Sequence, residues 1–342
     1  MKIAIITTPN NDLKETGFGA IQACNSVLAS IEKLGYNVGI NVCTCLNDLH
    51  NIVEQKPDLA ILAVKYIRVE NGEDIWLSEF FEGQGINYSG SSREVLRFDS
   101  DKVFAKAYLM DRGINSAKFF TAIPGQFTNE SDLPLSFPLF LKPSDAANGN
   151  GIDDFSLVQN FSDYESKILS LYNEFGIPVL VEEFLDGKEF SVAIISTESG
   201  KLIASAVELI PAQSDNGLRI LGEKAKKDDS EIMEYIEDHI ALEELTKLAT
   251  DVYIKLGIWD FGRIDIKADK NGQFFFMEAN LVPGMTLGSS YFPKACEIAN
   301  NLSYDEVIQY IVEKGISRAK FEKPFSTSSV AYDGIDKSRI AS

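Results

Sequence analysis

The first ninety residues alternate short apolar runs with amphipathic segments. Lys2–Thr7 and residues 59–64 are nearly continuous apolar runs, typical of parallel strands that are covered on both faces. Between them, residues 20–34 repeat apolar side chains at helical spacing, and residues 38–42 predict a further short strand. This alternation of strand and helix predicts an open parallel α/β sheet. The first turn has no Gly-x-Gly-x-x-Gly, so it gives no support to a dinucleotide-binding fold.

The remaining pattern predicts two further regions built from helices and antiparallel strands. The predicted helices cover residues 91–113, 161–175 and 231–256. The predicted strands cover residues 119–123, 137–142, 179–184, 189–195, 202–209, 261–267 and 273–279. A glycine-rich loop, residues 146–151, follows the second of these strands, and residues 215–229 form a polar loop. We therefore divide the chain into an N-terminal α/β domain (1–92), a central lobe (93–178), a C-terminal lobe (179–320) and a polar tail (321–342).

The composition narrows the class of ligand. The 342 residues contain 32 Lys and Arg against 51 Asp and Glu, a net charge of −19. Such an acidic surface repels nucleic acid and anionic membranes, so neither is expected as a partner. An anionic small molecule would have to be met by a few local cations in a cleft.

The cysteines and the N-terminus point to a reducing compartment. Four cysteines and two histidines are too few and too poorly spaced for a disulfide framework or a zinc site. The N-terminal apolar run is too short for a signal peptide, and no window is apolar over about 18 residues. We therefore expect buried free thiols and a cytoplasmic protein.

One hairpin carries most of the chemistry. Asn271-Gly272 between two alternating segments predicts a two-residue type I′ turn. With that turn, Asp265 faces Glu278 and Arg263 faces Asn280, because paired positions then sum to 543. Side chains two residues apart share one face of a strand, so these four polar residues form one group. The intervening side chains, which are Ile264, Ile266, Met277 and Ala279, are predicted to face the core.

Two directly opposed carboxylates repel each other unless a cation lies between them. Two carboxylates and an amide oxygen are hard ligands suited to Mg²⁺ that bridges nucleotide phosphates, so we predict a metal site at Asp265, Glu278 and Asn280. The alternative is a polar face on which Arg263 simply pairs with Asp265 or Glu278.

At this hairpin the sequence resembles the ATP-grasp superfamily, and specifically the D-alanine–D-alanine ligases. The matching strings are Gly-Arg-Ile-Asp at 262–265 and Met-Glu-Ala-Asn-Leu-Val-Pro-Gly-Met-Thr at 277–286. The resemblance extends from about residue 89 to residue 315. It implies an α/β ATP-grasp fold, α+β in its nucleotide half, in which an N-terminal parallel α/β domain precedes two lobes that enclose ATP.

The resemblance also implies an ATP site. Lys102 and Lys142 match the family's phosphate-binding lysines, and both lie in apolar segments where an unpaired ammonium would be costly. Glu182 and the backbone of Glu183, Phe184 and Leu185 match the segment that holds the adenine edge. Glu189 matches the group that binds the ribose hydroxyls. The base would lie among Phe140, Ile152 and Met277.

The implied reaction is the ATP-dependent ligation of a carboxylate to an amine through an acyl phosphate. Arg263 and the Gly284 N–H would stabilise the oxyanion, and Ser289 or Ser290 would orient the second substrate. The implied cofactors are ATP and two Mg²⁺ ions, which Mn²⁺ could replace. Proteins of this family are usually homodimers.

Several departures from the family fall on the substrate side. Asn148 replaces a serine, the segment Lys224-Ala225-Lys226-Lys227 lacks a tyrosine, and neither Asp12 nor Glu15 aligns cleanly with the family's first-turn glutamate. Lys65-Tyr66 replaces a His-Gly pair. The sequence therefore leaves three hypotheses. In the first, the chain is a ligase that joins two small amino acids, or similar acids and amines, into a dipeptide or amide. In the second, it is a D-alanine–D-alanine ligase with a divergent substrate site. In the third, it is a non-catalytic ATP-binding module.

Overall fold

A computed structural model of the chain describes residues 1–9, 17–69, 72–145, 149–213, 217, 219–223 and 230–318. The structural statements below concern these residues. The predicted polar tail (321–342) lies outside them.

The N-terminal part is a parallel sheet with helices beside it, as predicted. Its strand order is β2-β1-β3, and both pairs are parallel. The strands are β1 (Lys2–Thr7), β2 (Asn37–Val42) and β3 (Leu59–Leu62), and the helices are α1 (Ile21–Lys33) and α2 (Leu46–Glu54). A short hairpin that the pattern did not predict follows, with β4 (Tyr66–Arg68) and β5 (Asp74–Trp76), and leads into α3 (Leu77–Gly83).

The central part begins with two helices where the pattern predicted one. α4 (Arg93–Ser100) ends at Asp101, whose carboxylate accepts a hydrogen bond of 2.8 Å from the Phe104 N–H. Asp101 is therefore the N-cap of α5 (Lys102–Met110), and the cap interrupts what the periodicity showed as one segment. An antiparallel sheet of order β6-β9-β7-β8 and a helix follow. Its members are β6 (Phe119–Ala122), β7 (Leu139–Pro143), β8 (Leu157–Val158), α6 (Phe161–Phe175) and β9 (Val179–Glu183).

The C-terminal part contains an antiparallel sheet of order β12-β11-β10-β13-β14. The strands are β10 (Glu189–Ser196), β11 (Leu202–Ile210), β12 (Ile232–Tyr235), β13 (Phe261–Ala268) and β14 (Phe274–Asn280). The helices are α7 (His239–Leu256), α8 (Tyr291–Asn300) and α9 (Tyr304–Ser317). The predicted helix over 231–256 is wrong at its start. Residues 232–235 pair with β11, and the helix begins only after Asp238 caps the N–H groups of Ile240 and Ala241.

Two features position the nucleotide half of the molecule. Buried side chains of α1, β1 and β3 pack in one core with those of β10, α8 and α9, so the N-terminal sheet is joined to the C-terminal lobe. β9 hydrogen-bonds in the four-stranded sheet and β10 in the five-stranded one, so residues 184–188 connect the two sheets. Within this connection a Cβ on Gly187 would lie 2.5 Å from the Asp269 carbonyl oxygen. The connection therefore lies directly against the β13–β14 turn.

All four cysteines are free, and Cys24, Cys43 and Cys296 are buried, as expected for these three. Within the described part of the chain, none of the helices combines the length and the apolar character needed to cross a membrane.

Candidate active site

The β13–β14 hairpin has the predicted pairing at its functional end. Asp265 lies opposite Glu278, and Arg263 lies opposite Asn280. The predicted two-residue turn, however, is wrong. The Asp269 N–H donates to the Gln273 carbonyl at 2.9 Å, which leaves residues 270–272 as the loop. The Gly272 N–H donates to the Asp269 carbonyl at 3.1 Å, and Gly272 has φ +83°. The loop is therefore the three-residue type, in which a turn is followed by a left-handed residue.

A β-bulge restores the register that the longer loop would have shifted. Ile266 pairs with Phe276, whereas Asp265 pairs with Glu278, so Met277 is an extra residue in β14. The bulge turns Met277 and Glu278 to the same side, where both line a cleft, while Phe276 is completely buried. The prediction that Met277 faces the core is therefore wrong. Its placement in the cleft agrees with its other predicted position, beside a bound base.

Three of the four polar residues of the hairpin, Arg263, Asp265 and Asn280, form one hydrogen-bonded group. Arg263 donates two hydrogen bonds to Asp265, Nε to Oδ1 at 3.0 Å and Nη2 to Oδ2 at 2.9 Å. Asn280 Nδ2 lies 3.1 Å from Asp265 Oδ2, and Ser191 on β10 donates to Asp265 Oδ1 at 2.7 Å. Glu278 is 3.5 Å from the Lys102 ammonium group. Each carboxylate thus has a cation beside it, which removes the repulsion between the two acids.

Arg263 stays charged in this position. Burial alone would lower the pKa of its guanidinium, but the ion pair and the hydrogen bonds with Asp265 outweigh burial and raise this pKa. A permanent positive charge is therefore held beside Asp265 at the edge of the cleft.

The cleft lies between the four-stranded and the five-stranded sheets and is partly open to solvent. Nine of the ten residues predicted to bind ATP line it, together with Asp265 and Glu278 from the hairpin. These nine are Phe140, Lys142, Ile152, Glu182, Glu183, Phe184, Leu185, Glu189 and Met277. The tenth, Lys102, reaches the same group of residues through Glu278.

A buried ion network supports one wall of the cleft. The Glu182 carboxylate lies 2.7 Å from the ammonium group of Lys142 and 2.7 Å from that of Lys106. Burial raises the pKa of Glu182, but the two lysines more than compensate, and the net direction is downward. For Lys142, burial lowers the pKa, and Glu182 and other carboxylates reverse this to a net rise. Glu182 and Lys142 therefore form a charged pair.

Lys106 was missed in the sequence analysis. It is completely buried, and burial lowers its pKa. Its ammonium group also lies 3.0 Å from Ser116 Oγ and 3.3 Å from the carbonyl oxygen of Phe276, the residue before the bulge. It thus connects Glu182 on β9 of the four-stranded sheet to the bulged strand of the five-stranded sheet. The available signal was its position four residues after Lys102 in an apolar helix.

In the segment predicted to hold the adenine edge, residues 183–185, two of the three backbone N–H groups are already bound within the protein. The Glu183 N–H donates to the Lys118 carbonyl at 3.0 Å, and the Phe184 N–H donates to the Pro138 carbonyl at 3.3 Å. Within the described residues, the Leu185 N–H is the one of the three that remains for a ligand. Lys267, another missed residue, lies 3.0 Å from Glu189.

The two predicted loops meet over the cleft. A Cβ on Gly222 would lie 2.4 Å from the Ile152 carbonyl oxygen, and one on Gly149 would lie 3.0 Å from the Gly222 backbone. The Glu223 N–H donates to the Ile152 carbonyl at 3.1 Å. The glycine-rich loop and the middle of the 215–229 loop are therefore in backbone contact. Asp12, Glu15, Asn148 and the segment 224–227 lie outside the described residues.

Comparison with known proteins decides the family. Residues 109–313, more than half of the chain, match the family model described as "D-ala D-ala ligase C-terminus". The chain belongs to the D-Ala–D-Ala ligase family. This membership identifies it as an ATP-dependent ligase that forms a C–N bond.

Individual relatives agree over most of their length. A D-alanine–D-alanine ligase from Marinomonas sp. is 29% identical over 257 residues, which are 75% of this chain and 77% of that protein. One from Haemophilus ducreyi is 27% identical over 92% of this chain and 98% of its own. The crystal structure of the Bacillus anthracis D-alanine–D-alanine ligase superposes with a TM-score of 0.74 at 25% identity, covering 94% of this chain and 99% of that one. A second structure of that ligase, complexed with ATP, has a TM-score of 0.73. The predicted ATP-grasp fold is confirmed.

On the substrate side, the D-Ala–D-Ala ligase-like chain places three predicted residues together. The Ser290 side chain accepts a hydrogen bond of 2.8 Å from the Thr286 N–H, and a Cβ on Gly284 would lie 2.7 Å from Ser290 Oγ. The Gly284 N–H donates to no other residue in the described part of the chain. Ser289 is the neighbouring residue, half-buried like Ser290.

Lys65, at the position where the family's His-Gly pair was expected, lies in a buried ion pair. Its ammonium group is 2.8 Å from Asp99, and Asp99 also accepts a hydrogen bond of 2.6 Å from the Leu281 N–H directly after the hairpin. This departure from the family motif therefore fixes the strand end that carries Asn280.

The buried network yields the first prediction. Replacing Lys106 with Met should destabilise the protein by about 3–5 kcal/mol, because it leaves the buried Glu182 with one cation instead of two. Urea unfolding followed by circular dichroism measures this difference. The matched control is Lys255→Met on the exposed side of α7, which should cost less than about 0.5 kcal/mol. Equal effects of the two substitutions would show that Lys106 has no special role.

Proposed function

We propose that the protein is an ADP-forming ligase that joins two small amino acids, or a similar acid and amine, into a dipeptide or amide. The observation that carries this proposal is the single cleft in which the Lys142–Glu182 pair faces Asp265 and Glu278. A triphosphate needs cations, and phosphoryl transfer needs hard oxygen ligands for its metal. Both sets of groups line the same cleft.

The roles proposed for the nucleotide follow the wall of the cleft. The adenine would lie among Phe140, Ile152 and Met277, with its edge against the Leu185 N–H. Glu189, held by Lys267, would bind the ribose hydroxyls. Lys142 and Lys102 would lie along the phosphates, and their charges would offset those of the triphosphate.

The donor set fits Mg²⁺. Among the described residues no group of three or more acidic, histidine or cysteine side chains surrounds one point. That agrees with Mg²⁺, which proteins usually hold through one or two carboxylates together with substrate phosphates. Asp265, Glu278 and Asn280 would hold two Mg²⁺ ions, which Mn²⁺ could replace. The bound metal would neutralise the charge that develops on the transferred phosphoryl group.

The ligation itself would proceed in two steps. A carboxylate oxygen of the first substrate attacks the γ-phosphorus, the bond to the bridging oxygen breaks, and ADP leaves. The amine of the second substrate then attacks the acyl carbon, the C–O bond to phosphate breaks, and inorganic phosphate and the amine's proton depart. Arg263 and the Gly284 N–H would stabilise the oxyanion of this second step. Contact between the two loops would exclude water from the acyl phosphate.

The identity of the substrates separates two hypotheses. D-alanine is the substrate named for the relatives, and the family motif is intact around Arg263 and Gly284. The change at Lys65 favours a different acid or amine. The retained Arg263 argues against a non-catalytic ATP-binding module, because binding ATP does not need it. We further propose a cytoplasmic protein that forms a homodimer.

An ADP-release assay with amino acids of both configurations, singly and in pairs, tests the proposed function. We expect turnover with a pair that includes an acid or amine other than D-alanine. Turnover with D-alanine alone would instead support a D-alanine–D-alanine ligase. Tight ATP binding with no turnover on any pair would contradict the ligase proposal.

Arg263 tests the chemical step. Arg263→Ala should lower kcat roughly 100- to 1000-fold, the typical cost of removing one oxyanion donor. ATP affinity should stay nearly unchanged, because a transition-state interaction contributes little to ground-state binding. Stopped-flow turnover and equilibrium ATP binding measure the two quantities. The exposed Arg93→Ala is the control, and unimpaired turnover of Arg263→Ala would refute the assignment.

The hairpin carboxylates test the metal assignment. Asp265→Asn and Glu278→Gln should each weaken ATP binding in Mg²⁺ but change binding in EDTA little, because they remove metal ligands rather than contacts with the nucleotide. Calorimetric titration under both conditions gives the comparison. Loss of folded protein with no difference between the two conditions would mean that the group is structural, with Arg263 as the partner of Asp265.

A further inference from the structure

Glu231 is a buried acid that the proposed mechanism does not use. Its side chain is 8% exposed, and it directly precedes β12. One carboxylate oxygen accepts a hydrogen bond from the Tyr291 hydroxyl. The other oxygen, Oε2, is buried and has no hydrogen-bond partner. Burying a carboxylate oxygen without a hydrogen bond costs free energy. A hydrogen-bond donor on a bound ligand would remove this cost.

The position of Glu231 places it on the amine side of the site. Tyr291 follows Ser290, the residue proposed to orient the second substrate, and it begins α8. The Arg263 guanidinium lies over the Tyr291 ring, 5.2 Å from its centroid. Tyr291 therefore contacts both groups. Its ring face lies against Arg263, where the acyl carbon would react, and its hydroxyl group contacts Glu231.

No described cation neutralises Glu231. Arg263, which contacts the Tyr291 ring, donates two hydrogen bonds to Asp265 instead. Tyr291 supplies a neutral donor only, since burial and the contact with Glu231 raise the pKa of its phenol. The Glu231 carboxylate thus lies beside the proposed amine subsite without a positive partner from the described residues.

We propose that Glu231, oriented by Tyr291, determines specificity by binding a second ammonium group on the amine substrate, so that this substrate is a diamino acid. This inference rests on the proposed function. The reacting amine is not the group bound, because it must be deprotonated to attack and must reach the acyl carbon on the Arg263 side of the ring. The substrate carboxylate would lie at Ser289 and Ser290.

Pairs of acceptors that differ only in the second amine provide the test. Ornithine is compared with norvaline and 2,4-diaminobutyrate with 2-aminobutyrate, each as both enantiomers, with the wild-type chain, Glu231→Gln and Tyr291→Phe. The wild type should prefer the diamino acid about 10- to 100-fold in kcat/KM, the range of a hydrogen bond to a charged group. Glu231→Gln should abolish this preference by raising the KM for the diamino acid. The kcat/KM for the neutral acceptors should stay unchanged. Tyr291→Phe should reduce the preference in part.

Two outcomes would overturn the inference. One is equal use of the diamino and neutral acceptors by the wild type. The other is an equal loss with both acceptors in Glu231→Gln, which a merely structural role would produce. If Glu231→Gln does not fold, Tyr291→Phe alone decides, since the substitution removes one hydroxyl from a contact outside the chemistry.

Failure of the inference can be told apart from failure of the proposed function. Calorimetric titration of ornithine and norvaline into the protein saturated with ADP and Mg²⁺ measures the subsite without turnover. Tighter binding of ornithine that is lost in Glu231→Gln supports the subsite even if no pair is ligated. Equal binding of both amino acids overturns the subsite even if ligation is observed.

Discussion

Charge compensation in a poorly solvated cleft is the interaction on which this structure depends. Glu182, Asp265 and Glu278 bring three carboxylates to the gap between two sheets, and a lysine or arginine lies beside each of them. Uncompensated charges of this kind would be too costly to bury. The same cations and acids are the groups that a nucleotide triphosphate and its metal require. The arrangement that allows the chain to fold is therefore also the one that binds the ligand.

Lys106 shows how the compensation links the two lobes. Its ammonium group contacts Glu182 on the four-stranded sheet and the carbonyl oxygen of Phe276 on the five-stranded sheet. That carbonyl belongs to the strand whose bulge directs Met277 and Glu278 into the cleft. A completely buried lysine thus connects the wall of the cleft that contains Glu182 to the strand that carries the proposed metal ligands Glu278 and Asn280. Because its donors satisfy both sides, a shift of one lobe would leave a buried charge unpaired.

The sequence predicted the elements and the functional pairing better than the local geometry that produces them. Apolar periodicity located β1, α6 and most other elements, and the Asn280-x-x-Pro-Gly motif located the site. The pairing of Asp265 with Glu278 was confirmed, although the predicted turn was wrong, because the longer loop and the bulge offset each other by one residue. A bulge has no dependable local signal. The split of α4 from α5 depended on the single cap at Asp101.

Contacts between distant segments could not be predicted from the sequence. Ser191 reaches Asp265 because β10 happens to be the neighbour of β13, and Lys106 reaches Glu182 because α5 packs behind the cleft. Glu231 was predicted as the first residue of a helix and instead lies before an edge strand, 60 residues from the tyrosine that it binds. Each of these contacts is set by the packing of whole sheets and helices.

The two ends of the cleft differ in how their carboxylates are compensated. At the nucleotide end the acids are paired with cations, as expected where every member of a family binds the same cofactor. At the proposed amine end, Glu231 has a neutral phenol as its partner. A site that had to accept only small neutral amino acids would gain nothing from a buried negative charge. A carboxylate at this position suits a substrate that itself brings a positive group, so under the proposed assignment the amine end is the part of this ligase that selects among substrates.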